Sequence, residues 1–257
     1  MSDLALALRQ VKYENRAFWR NPAAAFFTFV FPLILLVIFN LLFGNNVLEV
    51  DGGTTRISTF YVSGIAALSV VYTGYIGLAM NVTIAREQGL LKRTRGTPLP
   101  AWAYLFGRVV QMTLVMLLLV TIVVAAGLLL YDVDVNLSTM PAFVLALVVG
   151  AAAFSSMGLA MTAIIPNENA ATAILNISTL PLLFISDVFV PSGDAPEWLM
   201  NVADFFPIRH LSLAIQTAFN PFETGGGFEP FHLAVVAAWG VFALVIALRY
   251  FSWEPNR

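Results

Sequence analysis

The chain has 257 residues, 59% of them hydrophobic and only 11% charged, with a mean hydropathy of +0.83, a composition far outside that of soluble domains. At roughly 20 apolar residues per bilayer crossing, the length holds about six helical crossings and leaves no room for a large soluble domain. A formal net charge of -2 excludes a globally basic nucleic-acid binder, and the absence of cysteine excludes disulfide frameworks, thiolate metal sites and cysteine nucleophiles.

Residues 3–20 carry an amphipathic helical pattern. At about 100° per residue, Arg9, Lys12, Arg16 and Arg20 share one narrow stripe, while Leu4, Leu8, Val11 and Phe18 lie opposite, with Ala7 and Trp19 nearby. Such a helix is expected in the inner headgroup layer, its cations near anionic lipid and its apolar side against acyl chains. It serves either as a lipid anchor or as a docking element for a cytoplasmic partner. Asn21 and Pro22 end it and start the first apolar run, 23–43. Cations precede that run and no small-residue cleavage pattern follows Phe43, so it reads as a retained span rather than an export signal.

Further charge-free runs predict spans at 59–85, 101–130, 140–165, 170–190 and 231–251. They are continuously apolar rather than alternating, which selects helices over transmembrane strands. The expected fold is an all-α integral membrane protein of six spans, one domain over 1–257, with an N-terminal interfacial helix and a re-entrant-like outer segment before the last span. Alternating the loops puts eleven of the thirteen Lys and Arg residues on one side, leaving only Arg56 and Arg209 on the other, so both termini are expected in the cytoplasm. The weak joint is Pro166-Asn167-Glu168-Asn169, which has no cation to vote on its side. The alternative there is a single re-entrant hairpin over 140–190 in place of two crossings; the last span ends in an anchor formed by Arg249, Trp253 and Arg257. Ten of fifteen carboxylates, among them Glu49, Asp51, Asp132 and Asp134, fall on the outer side and make that face acidic.

The one sizeable inner loop between spans runs Arg86-Glu87-Gln88-Gly89-Leu90-Leu91-Lys92-Arg93-Thr94-Arg95-Gly96-Thr97-Pro98-Leu99-Pro100. Leu90 and Leu91 interrupt its polar run before Gly96 and Pro98 close it, the form of a short surface helix with apolar knobs and exposed cations. Docking and simple topogenic charge are both open readings of this stretch. On the outer side, 187–230 is too long for a plain connection; its prolines divide two apolar-faced pieces, expected to be short helices dipping into the outer leaflet.

Within the spans almost nothing is ionisable, with Glu168, Asp187 and His232 at span ends, which counts against a proton antiporter; an ion-gradient-driven secondary transporter or channel is the second reading weighed for this chain. The polar residues inside are Ser69, Tyr72, Thr73, Tyr75, Asn81 and Thr83 in the second span and Asn176, Ser178 and Thr179 in the fifth; interhelical hydrogen bonding accounts for such residues without any transport role. Pro181 is placed to bend the fifth span. An intramembrane enzyme finds no support: there is no H-E-x-x-H, and His210 and His232 have no metal-ligand spacing. No G-x-x-x-x-G-K-[ST] occurs either, so any ATP that drives this chain is bound by another polypeptide.

The amphipathic N-terminal helix, the six spans and the inner loop reading Arg-Glu-x-Gly-Leu-Leu-x-Arg-x-x-x-Thr-Pro-Leu together resemble the permease subunits of type-2 ABC exporters, bacterial drug-resistance permeases included. Phe206-Pro207-Ile208 and the amphipathic run after it are similar to that family's stretch before the last span. The resemblance covers essentially the whole chain. It implies a coupling helix at 86–100 seated in a groove of a separate ATPase subunit, carried by Glu87, Gly89, Leu90, Arg93, Thr97 and Pro98. It also implies ATP and Mg on that partner and no cofactor here, a second permease copy, identical or distinct, an outer gate at 187–230, and a place in the bacterial plasma membrane. Leu90-Leu91-Lys92 stands where family members commonly have Thr-Leu-Glu, so the charge at Lys92 departs from the pattern. By the same analogy Tyr72, Thr73, Asn81, Asn176 and Thr179 border a translocation path suited to an amphiphilic, drug-like or lipid-like cargo.

Overall fold

The computed structural model describes residues 3–44, 46–50, 52–97, 99–133, 135–191 and 195–252; Asp51, Pro98, Asp134, Trp253 and Arg257, named above, lie outside them. Helix α1 (Asp3–Trp19) leads into α2 (Pro22–Phe43), and a small antiparallel hairpin, β1 (Val47–Val50) with β2 (Gly53–Arg56), leads into the second span. That span is α3 (Ile57–Val71), a π-helical turn (Tyr72–Gly77) and α4 (Leu78–Glu87), followed by the short α5 (Leu90–Arg95). Then come α6 (Ala101–Leu130), α7 (Met140–Met161), α8 (Glu168–Ile185), α9 (Glu197–Phe205), α10 (Pro207–Phe219) and α11 (Pro230–Tyr250).

Among the described residues six helical stretches are long and apolar enough to cross a membrane. They coincide with the expected spans apart from their ends. The fourth stops at Met161 rather than 165, because Pro166 keeps the residue before it out of the helical region and Asn167 caps the next helix, its Oδ1 accepting from the Ala170 N–H at 2.8 Å. The fifth stops at Ile185 rather than 190, where Asp187 adopts a positive φ of 53°. Its carbonyl accepts hydrogen bonds from the Ser212 hydroxyl at 2.9 Å and the Gln216 amide at 2.5 Å, turning the chain back onto α10.

The second span is the bundle's centre. Over its most apolar 18 residues it is 83% buried, against 17% for the first span and 22% for the fifth and the last. The small face of α7 lets it sit directly on this axis: a Cβ on Gly158 would lie 2.7 Å from the carbonyl oxygens of Gly74 and Tyr75, so the helix backbones touch there. This contact falls on the π turn, which carries one extra residue in the span. The exposed apolar side chains of α2, including Phe26, Phe27, Leu41 and Leu42, face outward as lipid- or partner-facing surface.

The outer segment holds two helices, but only one lies at the surface. Helix α10 is packed inside the bundle, with Ile208, Leu211, Ala214, Ile215, Ala218 and Phe219 all buried against the core that α3 and α7 share. Trp198, Val202 and Phe205 of α9 remain exposed. The expectation of two helices dipping into lipid is therefore corrected for α10, which is buried in protein instead, a setting that also suits a backbone away from water.

Candidate functional site

The loop residues singled out in the sequence gather at one end of the bundle. Gly89 takes the left-handed conformation, φ 71°, which breaks α4 from α5 and turns α5 across the helix ends. Its two leucines part company. Leu91 is fully buried among Leu78, Val82, Ala85, Tyr104 and Leu159, whereas Leu90 is 44% exposed beside the exposed Lys92 and Arg93. Thr94 donates to the Leu90 carbonyl at 2.9 Å and Thr97 to the Thr94 carbonyl at 2.6 Å, closing the helix with the hydroxyls of its last turn. The outward face thus presents Leu90, Lys92, Arg93 and Thr97, anchored from beneath by Leu91.

What holds this loop to the rest of the bundle is the pair just before it. Arg86 is 1% exposed, and its guanidinium donates to the Thr162 carbonyl at 2.7 Å and the Ile165 carbonyl at 2.5 Å. Both carbonyls lie just beyond the C-terminal end of α7, where orphan acceptors and the negative pole of the helix dipole favour a cation. The next residue does the opposite at the next helix: a Glu87 carboxylate oxygen accepts from the Glu168 N–H at 2.9 Å, the first residue of α8, where a negative charge is favoured. Two adjacent residues of opposite charge therefore clamp the α7–α8 turn. This also places that turn at the same end of the bundle as α5, which is the arrangement of two full spans over 140–185 rather than one re-entrant hairpin.

Arg86 reads in the sequence as one more inner-side charge, and its role is missed. A signal existed: the Pro166-Asn167 turn stops one helix and starts another without any cation of its own, so its bare carbonyls require a donor from elsewhere.

Helix α1 lies along α6. Glu14 forms an ion pair with Arg108 at 3.2 Å, Gln10 donates to Glu14 at 2.7 Å, and Arg108 Nε donates to the Tyr104 hydroxyl at 3.0 Å. Ala7 is fully buried, and a Cβ on Gly107 would come within 2.5 Å of the Gln10 side chain, so the two helices are in close contact. Arg9, Lys12, Arg16 and Arg20 occupy the side away from α6 and are exposed. Part of the apolar stripe thus meets protein, while Leu8 and Trp19 on its flank stay exposed, Trp19 stacking on Phe29 of α2 at 5.7 Å.

The five path residues are not brought together. Tyr72 packs its ring against Phe31 at 5.5 Å. Thr73 is buried at 3% exposure with no partner for its hydroxyl, and Asn81 and Asn176 each donate to the carbonyl four residues back in their own helices at 2.8 Å. Thr179 alone of the five lines an apolar cavity of about 270 Å³, together with Tyr75, Ser178, Phe206, Trp239 and Phe242. There the Tyr75 and Ser178 hydroxyls share a hydrogen bond at 3.0 Å between the second and fifth spans.

At the opposite end, Arg209 is held between Asp187, at 3.1 Å, and Asp204, fixing α9, α10 and the end of α8 to one another. His210 and His232 meet through their Nδ1 atoms at 2.7 Å, joining α10 to the start of α11.

Residues 7–219 match the family model described as ABC-2 type transporter. A "Putative transport permease ycf38" of Porphyra purpurea is 25% identical over 236 residues, covering 91% of this chain and 79% of that one. The "Daunorubicin resistance ABC transporter permease protein DrrB1" of Streptomyces coeruleorubidus is 28% identical over 200 residues, 77% of this chain and 69% of that one. A "Probable multidrug ABC transporter permease YbhR" of Escherichia coli K12 is 25% identical over 153 residues, 60% of this chain and 41% of that one.

Proposed function

The chain belongs to the ABC-2 type transporter family, and from that premise we propose that it is the membrane subunit of an exporter worked by a separate ABC ATPase, with α5 as the element that receives the stroke. The observation that carries this reading is the two-sided build of the loop. Its outward face of Leu90, Lys92, Arg93 and Thr97 is free for a groove, and its inward side is tied through Leu91, Arg86 and Glu87 to the core and to the α7–α8 turn. A push on α5 is therefore delivered to the helices that pack against the central span rather than absorbed by a slack loop. ATP and Mg belong to the partner; this chain supplies the docking face and the wall of the pathway. Two permease copies, identical or distinct, complete that pathway. The daunorubicin-resistance and multidrug names of two relatives and the apolar, hydroxyl-bearing cavity between the second and fifth spans support an amphiphilic, drug-like or lipid-like cargo leaving the cytoplasm. Orientation follows the charge asymmetry, with both termini in the cytoplasm of a bacterial plasma membrane.

Reconstitution with the ATPase subunit tests this. Leu90→Asp or Arg93→Glu is expected to abolish cargo-stimulated ATP hydrolysis while leaving the thermal unfolding midpoint of the isolated chain unchanged, since both side chains are exposed. Cargo flux that persists without any ATPase, driven by a pH or sodium gradient, would overturn it.

A further inference from the structure

Beneath α1, at the same end of the bundle as α5, lies a second cavity of about 240 Å³, lined by Glu14 and Asn21, by Asn81 and Gln88, by Leu90, and by Arg108 and Gln111 of α6. It differs in kind from the apolar cavity near Trp239, because six of its thirteen lining residues are polar, two of them charged. At about 30 Å³ per water it has room for roughly eight water-sized groups.

Its polar atoms are unevenly committed. The hydrogen bond of Arg108 to Tyr104 and its ion pair with Glu14 both use Nε, and among the described residues neither terminal amine of the guanidinium donates a hydrogen bond. Gln111, one turn further along α6, is 1% exposed, yet its amide nitrogen has no partner. Asn21 spends its side-chain oxygen on the Ala24 N–H, which leaves its amide nitrogen, and Asn81 spends its amide nitrogen on the Gly77 carbonyl, which leaves its oxygen. A buried amide donor without a partner is unfavourable unless something occupies the site. The open donors suit phosphoryl oxygens. A bare anion does not suit the whole lining, however, because the Glu14 carboxylate, which accepts from Gln10 and pairs with Arg108, faces the same space and keeps lone pairs for a further cation.

We propose that this cavity binds one phosphoethanolamine-type headgroup of the inner leaflet, its phosphate oxygens on Arg108, Gln111 and Asn21 and its primary ammonium on Glu14 and the Asn81 oxygen. Depth agrees with this: Arg108 is seven residues into α6, about 10 Å along the helix, on the side where the interfacial helix α1 lies. A headgroup there bridges α1, α4 and α6 and touches Gln88 and Leu90 at the start of α5, so the lipid stiffens the base of the loop. The inference depends on the chain being a membrane protein and not on its being an exporter.

The test is native mass spectrometry of the detergent-purified chain with dioleoyl phosphatidylethanolamine, phosphatidylcholine or phosphatidylglycerol added at equal concentration. One phosphatidylethanolamine is expected to be retained in preference to both others. Gln111→Leu, which keeps the shape and removes the unpartnered amide, is expected to weaken retention by roughly threefold to tenfold without lowering the unfolding midpoint. Arg108→Gln is expected to weaken it by on the order of tenfold or more. Equal retention of phosphatidylcholine, whose quaternary ammonium cannot donate to Glu14, would overturn the proposal. So would stronger retention of phosphatidylglycerol, which would mean a simple anion site, or unchanged retention in Gln111→Leu. Displacement by soluble glycerophosphoethanolamine at the same concentration would overturn the lipid source and assign the site to a soluble ligand.

Discussion

Replacing Arg86 by methionine should loosen the α7–α8 turn more than any other single change in the loop. The side chain is 1% exposed and its two hydrogen bonds, at 2.7 and 2.5 Å, are the link between the end of α4 and the carbonyls of Thr162 and Ile165. Charge-assisted hydrogen bonds are worth about 1.5–3 kcal/mol each, and methionine fills much of the volume but leaves both carbonyls bare. Part of this is offset because a buried guanidinium no longer has to be desolvated. The net loss is about 3–4 kcal/mol, which for a chain of this size lowers the melting midpoint by on the order of 10 °C. Lysine, a single point donor, reaches one carbonyl rather than two and should lose about half as much. Unfolding in detergent, followed by tryptophan fluorescence, gives the midpoint. Hydrogen exchange over 162–168 gives the local effect and should speed up at least tenfold in Arg86→Met. A midpoint within 2 °C of the wild type, with unchanged exchange at that turn, would refute the clamp.

Two further outcomes follow from the same geometry. Glu87→Gln keeps an acceptor for the Glu168 N–H and removes only the charge at the start of α8, so it should lose about 0.3–1 kcal/mol while reducing cargo-stimulated hydrolysis by the reconstituted complex. Gly158→Ala pushes a methyl group to 2.7 Å from two backbone oxygens of the π turn, and overpacking of this kind costs about 1–3 kcal/mol; the midpoint should fall, whereas Ser156→Ala, two residues earlier and only half buried, should change it by less than about 0.5 kcal/mol.

The spans were legible because crossing a bilayer demands a long charge-free run, and nothing else in a chain of this length produces one. Their ends were less so: Pro166 stops α7 and Asp187 turns the chain after α8, but both lie beside apolar residues that a hydropathy reading adds to the span. The hairpin of Val47–Val50 with Gly53–Arg56 is illegible for the opposite reason: its strands are four residues each, and the second, Gly-Thr-Thr-Arg, has no apolar residue to show a strand pattern. The π turn at Tyr72–Gly77 has the same composition as the helix around it and becomes visible only when Gly158 is seen against it. In the loop, residue types marked Lys92 and Arg93 as exposed cations. They did not separate Leu90 from Leu91, because that depends on where Gly89 turns the chain. The role of Arg86 depends on carbonyls 76 and 79 residues away, and local pattern carries no information at that range.

Because the chain contains no cysteine, Arg93→Cys creates a unique thiol on the outward face of α5, and its labelling reports whether α5 is the cytoplasmic seat of the ATPase. No reaction is expected with a membrane-impermeant maleimide on intact cells, full reaction in inverted vesicles, and protection in those vesicles when the ATPase subunit is bound. Labelling from the outside of intact cells would contradict it.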